Sequence, residues 1–191
     1  SGSGTAQPVP TGGTFSSPRF SNAPRSLISF DGGLYFVADG LRGNEAQGLW
    51  RLTGSGVEMI RFNGVAAGTQ ITGFQNIVEV GGTLFFTAND GINGSELWRL
   101  NASGNAEMVD DSTAGRGILP GENRDGPTSM TNVNGTLYFV ASYQNDGRRL
   151  WRVSPTGSAE VVDDVIPGKG YSSPGSLTVV GDTLYFFSHV G

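Results

Sequence analysis

Val80 to Leu100 reads "VGGTLFFTANDGINGSELWRL", and the chain says nearly the same thing in three other places. Gly33 to Leu52 is "GLYFVADGLRGNEAQGLWRL" and Asn134 to Val153 is "NGTLYFVASYQNDGRRLWRV". "GDTLYFFSHVG", Gly181 to Gly191, starts a fourth copy that stops before its Trp. The aromatic runs begin at Leu34, Leu84, Leu137 and Leu184, and Trp50, Trp98 and Trp151 lie 48 and 53 residues apart. Upstream stands a third landmark: "PRSLISF" from Pro24, "PTSMTNV" from Pro127 and "PGSLTVV" from Pro174, with "FQNIVEV" from Phe74 in the second copy. Three landmarks in one order, at a period of about 50 residues, mean a repeat architecture.

Each copy reads as four short strands. The first ("SLISF", "NIVEV", "SMTNV", "SLTVV") ends at a Gly or Asn-Gly turn, which reaches positive φ cheaply and closes a two-residue hairpin. The second ("LYFVA", "LFFTA", "LYFVA", "LYFFS") is apolar almost throughout, so both of its faces should be buried. The third carries Leu-Trp-Arg and alternates better, and the fourth is "VEMIRF", "AEMVD" or "AEVVD". Antiparallel four-stranded units repeated at this period predict an all-β chain, a β-propeller of four-stranded blades, with about three and a half blades present. A solenoid is the competing architecture, but its repeats are shorter. A small residue ends strand two in each copy (Ala38, Ala88, Ala141, Ser188), which we read as crowding between adjacent blades. Residues 1–23 form a Pro/Gly-rich N-terminal segment whose opening "SGSG" resembles a linker scar. The units fall near 24–70, 71–126, 127–173 and, in part, 174–191.

Composition agrees with this reading. Of 191 residues 31 are Gly, 37% are hydrophobic and 15% charged, with 11 Phe, 5 Tyr and 3 Trp, which suits short strands and many turns around a real core. A net charge of −5 without any Lys/Arg run argues against a phosphate-tracking face, hence against nucleic acid. Absence of Cys removes disulfides and thiolate chemistry, and no apolar run nears the ~20 residues of a spanning helix.

The run "GTLFFTANDGINGSELWRL", followed later by "VVDDVIPGKGYSSPGSLTVVGDTLYF", resembles the bacterial ELW–DGT repeat family, whose units are hyalin-like, adhesin-type propeller repeats. The resemblance covers about Pro24 to Gly191. It is carried by Asp90, Gly91, Gly94, Glu96, Leu97 and Trp98, and by Asp164, Pro167, Gly168, Ser172, Ser173, Pro174, Leu177 and Thr178. The "DGT" element is degenerate ("TGSG", "ASGN", "PTGS"). The resemblance implies a propeller-like module of large secreted or surface-attached bacterial proteins, and no enzymatic activity.

The loop between strands two and three offers the candidate binding residues Asp39, Asp90, Asn93, Glu96 and Asp146. "DGLRGNE" and "DGINGSE" match at Asp, both Gly and Glu, an oxygen-rich pattern suited to Ca²⁺. The third copy shortens this loop to "NDGRR" with Arg148 and Arg149, so hairpin chemistry is preferred to a metal site, and no cofactor is expected. Asp110-Asp111 and Asp163-Asp164 end strand four, where neighbours point to opposite faces and discourage edge pairing. His189 is the single histidine, which rules out a multi-His zinc site and gives a Ser-His-Asp triad no support. "GRG" (115–117) and "GKG" (168–170) precede no helix, so they are not phosphate loops. The Trp residues, held between Leu and Arg, read as core and not as sugar platforms.

The half blade from Ser176 to Gly191 leaves an apolar strand edge. Self-association, pairing with another chain or a strand from the N-terminal segment is expected to complete it, the alternative being that the chain is a fragment of a longer propeller. The leading expectation is a non-enzymatic extracellular or cell-surface module for adhesion or ligand binding, with a glycan as candidate ligand. A scaffold closed by pairing of incomplete blades and a glycan-active propeller enzyme are the alternatives.

Overall fold

The computed structural model describes residues 23–40, 47–54, 56–92, 94–110, 126–142, 147–154, 157–162 and 173–189. Its hairpins follow from turn chemistry. Asp31-Gly32 joins β1 (Arg25–Phe30) to β2 (Gly33–Asp39) with φ of 46° and 67°. Gly81-Gly82 joins β5 (Thr72–Val80) to β6 (Thr83–Asn89), and Asn134-Gly135 joins β9 (Thr128–Val133) to β10 (Thr136–Ser142), again with both φ positive. Two residues at positive φ give the twist that a two-residue hairpin needs. Gly181-Asp182 makes the corresponding link from β13 (Ser173–Val180) to β14 (Thr183–His189).

The third strands are β3 (Gln47–Thr53), β7 (Ser95–Leu100) and β11 (Arg148–Val153). The fourth are β4 (Gly56–Met59), β8 (Ala106–Met108) and β12 (Ala159–Val161). The described residues thus form four antiparallel sheets, ordered β1-β2-β3-β4, β5-β6-β7-β8, β9-β10-β11-β12 and β13-β14. Fourteen strands in this grouping match the reading of the sequence, and the fold is all-β.

Every first strand carries the same irregularity. Its register slips at Ser26, Asn76, Ser129 and Ser176, each with φ between 50° and 55°. A residue in the left-handed region at a register slip is a β-bulge, which bends the strand and strengthens its twist. Ser and Asn are short enough to take that conformation, at a cost of about 1–3 kcal/mol that the surrounding sheet must offset.

The sheets stack face to face. From the first, Tyr35, Val37 and Leu49 are buried against Leu84, Phe86 and Trp98 of the second. From the second, Phe85 and Leu97 are buried against Leu137, Phe139 and Trp151 of the third. Strand two is therefore buried on both faces in the first three sheets, as its unbroken apolar sequence requires. Strand three departs from expectation. Glu96, Leu97 and Trp98 are buried in succession, because both faces of β7 also meet neighbouring sheets.

The three Trp residues are buried, and each indole Nε1 donates to the carbonyl of the Ala that ends strand two. Trp50 reaches Ala38 at 3.2 Å, Trp98 reaches Ala88 at 3.1 Å and Trp151 reaches Ala141 at 3.2 Å. The small residue thus serves the indole bond as well as the close packing. Backbone bonds also staple consecutive sheets. The Ala106 N–H donates to the Arg61 carbonyl at 2.7 Å, and the Ala159 N–H donates to the Asp110 carbonyl at 2.8 Å. The tails of the first and second sheets thereby cover the outer strands of the second and third.

Candidate binding cleft

Arg51, Arg99 and Arg152 follow the three Trp residues, and each lies opposite a Glu of the fourth strand: Glu58, Glu107 and Glu160. Opposite charges facing each other across an antiparallel ladder favour the pairing. Arg152 Nε donates to Glu160 at 2.6 Å. Arg99 Nε donates to Glu107 at 2.8 Å, and its Nη1 crosses to the Gly157 carbonyl of the third sheet at 3.0 Å. Burial raises the Glu107 pKa, but hydrogen bonds from Arg99 and Asn101 and the guanidinium charge outweigh it, and the net shift is downward.

Arg51 is different. Its Nη1 stands 3.9 Å from Glu58, beyond hydrogen-bonding distance. Its Nε is buried without a hydrogen-bond partner, and its Cζ lies 5.7 Å from the centre of the Tyr35 ring. Burial raises the Tyr35 pKa, with Arg51 opposing and Asp31 and Glu58 adding to the rise, so the phenol stays neutral. Phe30 meets that ring edge to face at 5.8 Å.

These groups line a cleft of about 780 Å³ between the first two sheets, at the end that carries the β1–β2, β5–β6 and β7–β8 turns. Asp31, Glu79 and Ser103 add exposed polar side chains to its rim. The corresponding cleft between the second and third sheets holds about 370 Å³ and is spanned by Arg99.

Of the residues singled out from the loop pattern, Asp39, Asp90 and Glu96 are described, and they form no group placed to hold a metal ion. Asp39 lies at the end of β2, opposite Gln47, which donates to it at 3.4 Å, and 3.7 Å from Arg25. Asp90 is buried beyond the end of β6 and accepts the Ile92 N–H at 2.9 Å, an Asx-type turn. Register places Asn89, and not Asp90, at the position of Asp39, and Gly48 at the position of Glu96. The two stretches therefore match as strings, but their residues take different register positions at the strand ends. Glu96 is fully buried within β7. Asn93 and Asp146 lie outside the described residues, as do Asp111, Asp163, Asp164, "GRG" and "GKG". Asp110 follows β8 and contributes its carbonyl to the staple described above. His189 is the last residue of β14. Among the described residues no group of three His, Cys, Asp or Glu side chains is placed to hold a metal ion. No described helix is long and apolar enough to cross a membrane.

The cleft was not foreseen from sequence. Its signal was a difference between copies: Gly33 stands where the others have Thr83, Thr136 and Thr183. Comparison with known proteins adds no identity, since no protein family, curated protein or solved structure matches this chain.

Proposed function

We propose that the chain is a non-enzymatic β-propeller module of a secreted or surface-attached bacterial protein, its sheets acting as blades and its role being adhesion or ligand binding. The apolar face left exposed on the last described sheet is where this module associates with a second copy. The observation that carries this reading is the order of the buried rows. Tyr35 and Val37, then Phe85 and Thr87, face the next sheet and are buried, whereas the equivalent Tyr185 and Phe187 of β14 are 58% and 80% exposed. Val180 is exposed beside them, and the Ser188 hydroxyl is buried without a partner.

Such an apolar face, next to a strand with one hydrogen-bonded neighbour among the described residues, is an association surface. A ring continued by a second copy would bury the face and pair the edge together. The ELW–DGT resemblance points to the same kind of module and to the cell exterior.

Light-scattering mass measurement tests the assembly. Wild-type protein should exceed the monomer mass at micromolar concentration, and Phe187→Asp should return it to monomer with the fold kept. A wild-type monomer at every concentration, with fast amide exchange from Thr183 to Phe187, would overturn this association.

A further inference from the structure

We infer that the cleft between the first two sheets is a binding site for a short neutral saccharide, with Arg51 as its central hydrogen-bond donor. This rests on the ligand-binding half of the reading above and not on closure of the ring.

The physical case starts from one missing side chain. A Cβ at Gly33 would stand 3.2 Å from Arg51 Nε and 3.4 Å from Tyr35 Cε2, closer than a Thr could sit without pushing the guanidinium aside. Gly33 has no positive φ to require glycine, so its absence of side chain acts through space and not through backbone conformation. With Thr83 in the same position of the second sheet, Arg99 is held by Glu107 and Gly157. With Gly33, Arg51 lies against β2, its Nε unsatisfied, and the cleft holds about twice the volume of its counterpart. That Nε is closed off, so a ligand oxygen would meet the guanidinium through its Nη groups, of which Nη1 stands 3.9 Å from Glu58.

The lining then selects the ligand. Asp31 and Glu79 line the cleft with a single guanidinium, and Glu58 stands 3.9 Å from that guanidinium, so an anion would meet more carboxylates than cations. A cation could pair with the acids but would meet the like charge of the Arg51 guanidinium. A hydroxyl accepts from the guanidinium and donates to a carboxylate at once, and adjacent hydroxyls on a sugar ring repeat that duty. Ser103 adds a hydroxyl and Phe30 an apolar flank for a ring face. The volume falls within the roughly 300–1,000 Å³ range of small-molecule sites.

The test follows the Arg51 Nε–H resonance by ¹⁵N NMR during titration with maltose, cellobiose and diacetylchitobiose, and with a glucuronate disaccharide as the charged counterpart. At least one neutral sugar should give a saturable shift at Arg51 and at the Gly82 and Gly104 amides. Gly33→Thr, which restores the side chain of the other copies, should weaken it about tenfold or more, a change of one decade in Kd. Asp31→Asn should also weaken it while keeping the turn, because Asn tolerates positive φ. Arg99→Gln should leave affinity within about twofold. Saturable shifts confined to other residues would overturn this site and leave the ligand-binding reading intact. Tighter binding of the glucuronate sugar, unchanged affinity in Gly33→Thr, or no shift with any sugar would overturn the proposal, whatever the oligomeric mass.

Discussion

Replacing Trp98 by Phe removes one hydrogen bond and part of one ring from the most enclosed of the three Trp positions. Trp98 is 1% exposed, donates to the Ala88 carbonyl at 3.1 Å and meets the Phe62 ring edge to face at 5.0 Å. Loss of the indole bond costs about 0.5–1.5 kcal/mol net. The phenyl ring leaves a void of a few tens of Å³, and at ~24 cal/mol per Å³ that adds about 1 kcal/mol. Trp98→Phe should therefore lose about 2 kcal/mol, and Trp98→Ala about 3–5 kcal/mol. Trp50→Phe should lose less, because Trp50 is 7% exposed and belongs to the smallest of the three buried clusters. Urea unfolding followed by far-ultraviolet circular dichroism, with the slope held in common, measures each loss. A Trp98→Phe midpoint indistinguishable from wild type would refute the claim that indole N–H bonds tie strand three to the end of strand two.

Gly81→Ala should destabilise more than Gly82→Ala. Both positions have positive φ, but only at Gly81 does the new Cβ come within 3.0 Å of the Gly135 carbonyl of the next sheet, so equal melting temperatures would argue against that approach of the two turns. Ser129→Gly should be close to neutral and Ser129→Val should cost about 1–2 kcal/mol, since a β-branched residue resists the left-handed bulge. The pKa of Glu107 is lowered in the fold, so its contribution is complete above the usual glutamate range and is lost as pH falls through and below it. Glu107→Gln should accordingly flatten the loss of stability on acidification, as followed by unfolding across pH 6 to 3 (about one unit each side of the carboxylate range).

Much of the fold was legible because each strand obeys one local rule. Asp-Gly, Gly-Gly and Asn-Gly turns fix two-residue hairpins, and the unbroken apolar run of strand two states that both its faces are covered. Burial on both faces of β7 was not legible, since Glu96 and Arg99 give it a polar appearance although Glu96 is fully buried. Nor was the bulge, whose sign was the Ser, Asn, Ser, Ser at one position of the first strands. The loop comparison misled because it aligned Asp39 with Asp90 by spacing from a Glu. Strand pairing counts from Ala38 and Ala88 instead, and the loops differ in length beyond that point.

What the copies share reports packing, since a residue that must fit between two sheets is constrained alike in each. What they do not share must be judged against the contact it replaces. Gly33 for Thr is a small change in sequence, yet it separates an arginine satisfied at 2.8 and 3.0 Å from one whose nearest carboxylate stands at 3.9 Å. Leaving a guanidinium nitrogen buried and unsatisfied costs stability that a threonine-sized side chain would help recover by moving it. A position that forgoes that stability while enlarging a polar cleft behaves as a site would. Tyr185 and Phe187 show the converse: they keep the shared pattern without the shared burial, and they carry the association proposed above instead of a ligand site. The two departures lie in different sheets and carry different chemistry, so Gly33→Thr should change sugar affinity without changing oligomeric mass, and Phe187→Asp should do the reverse.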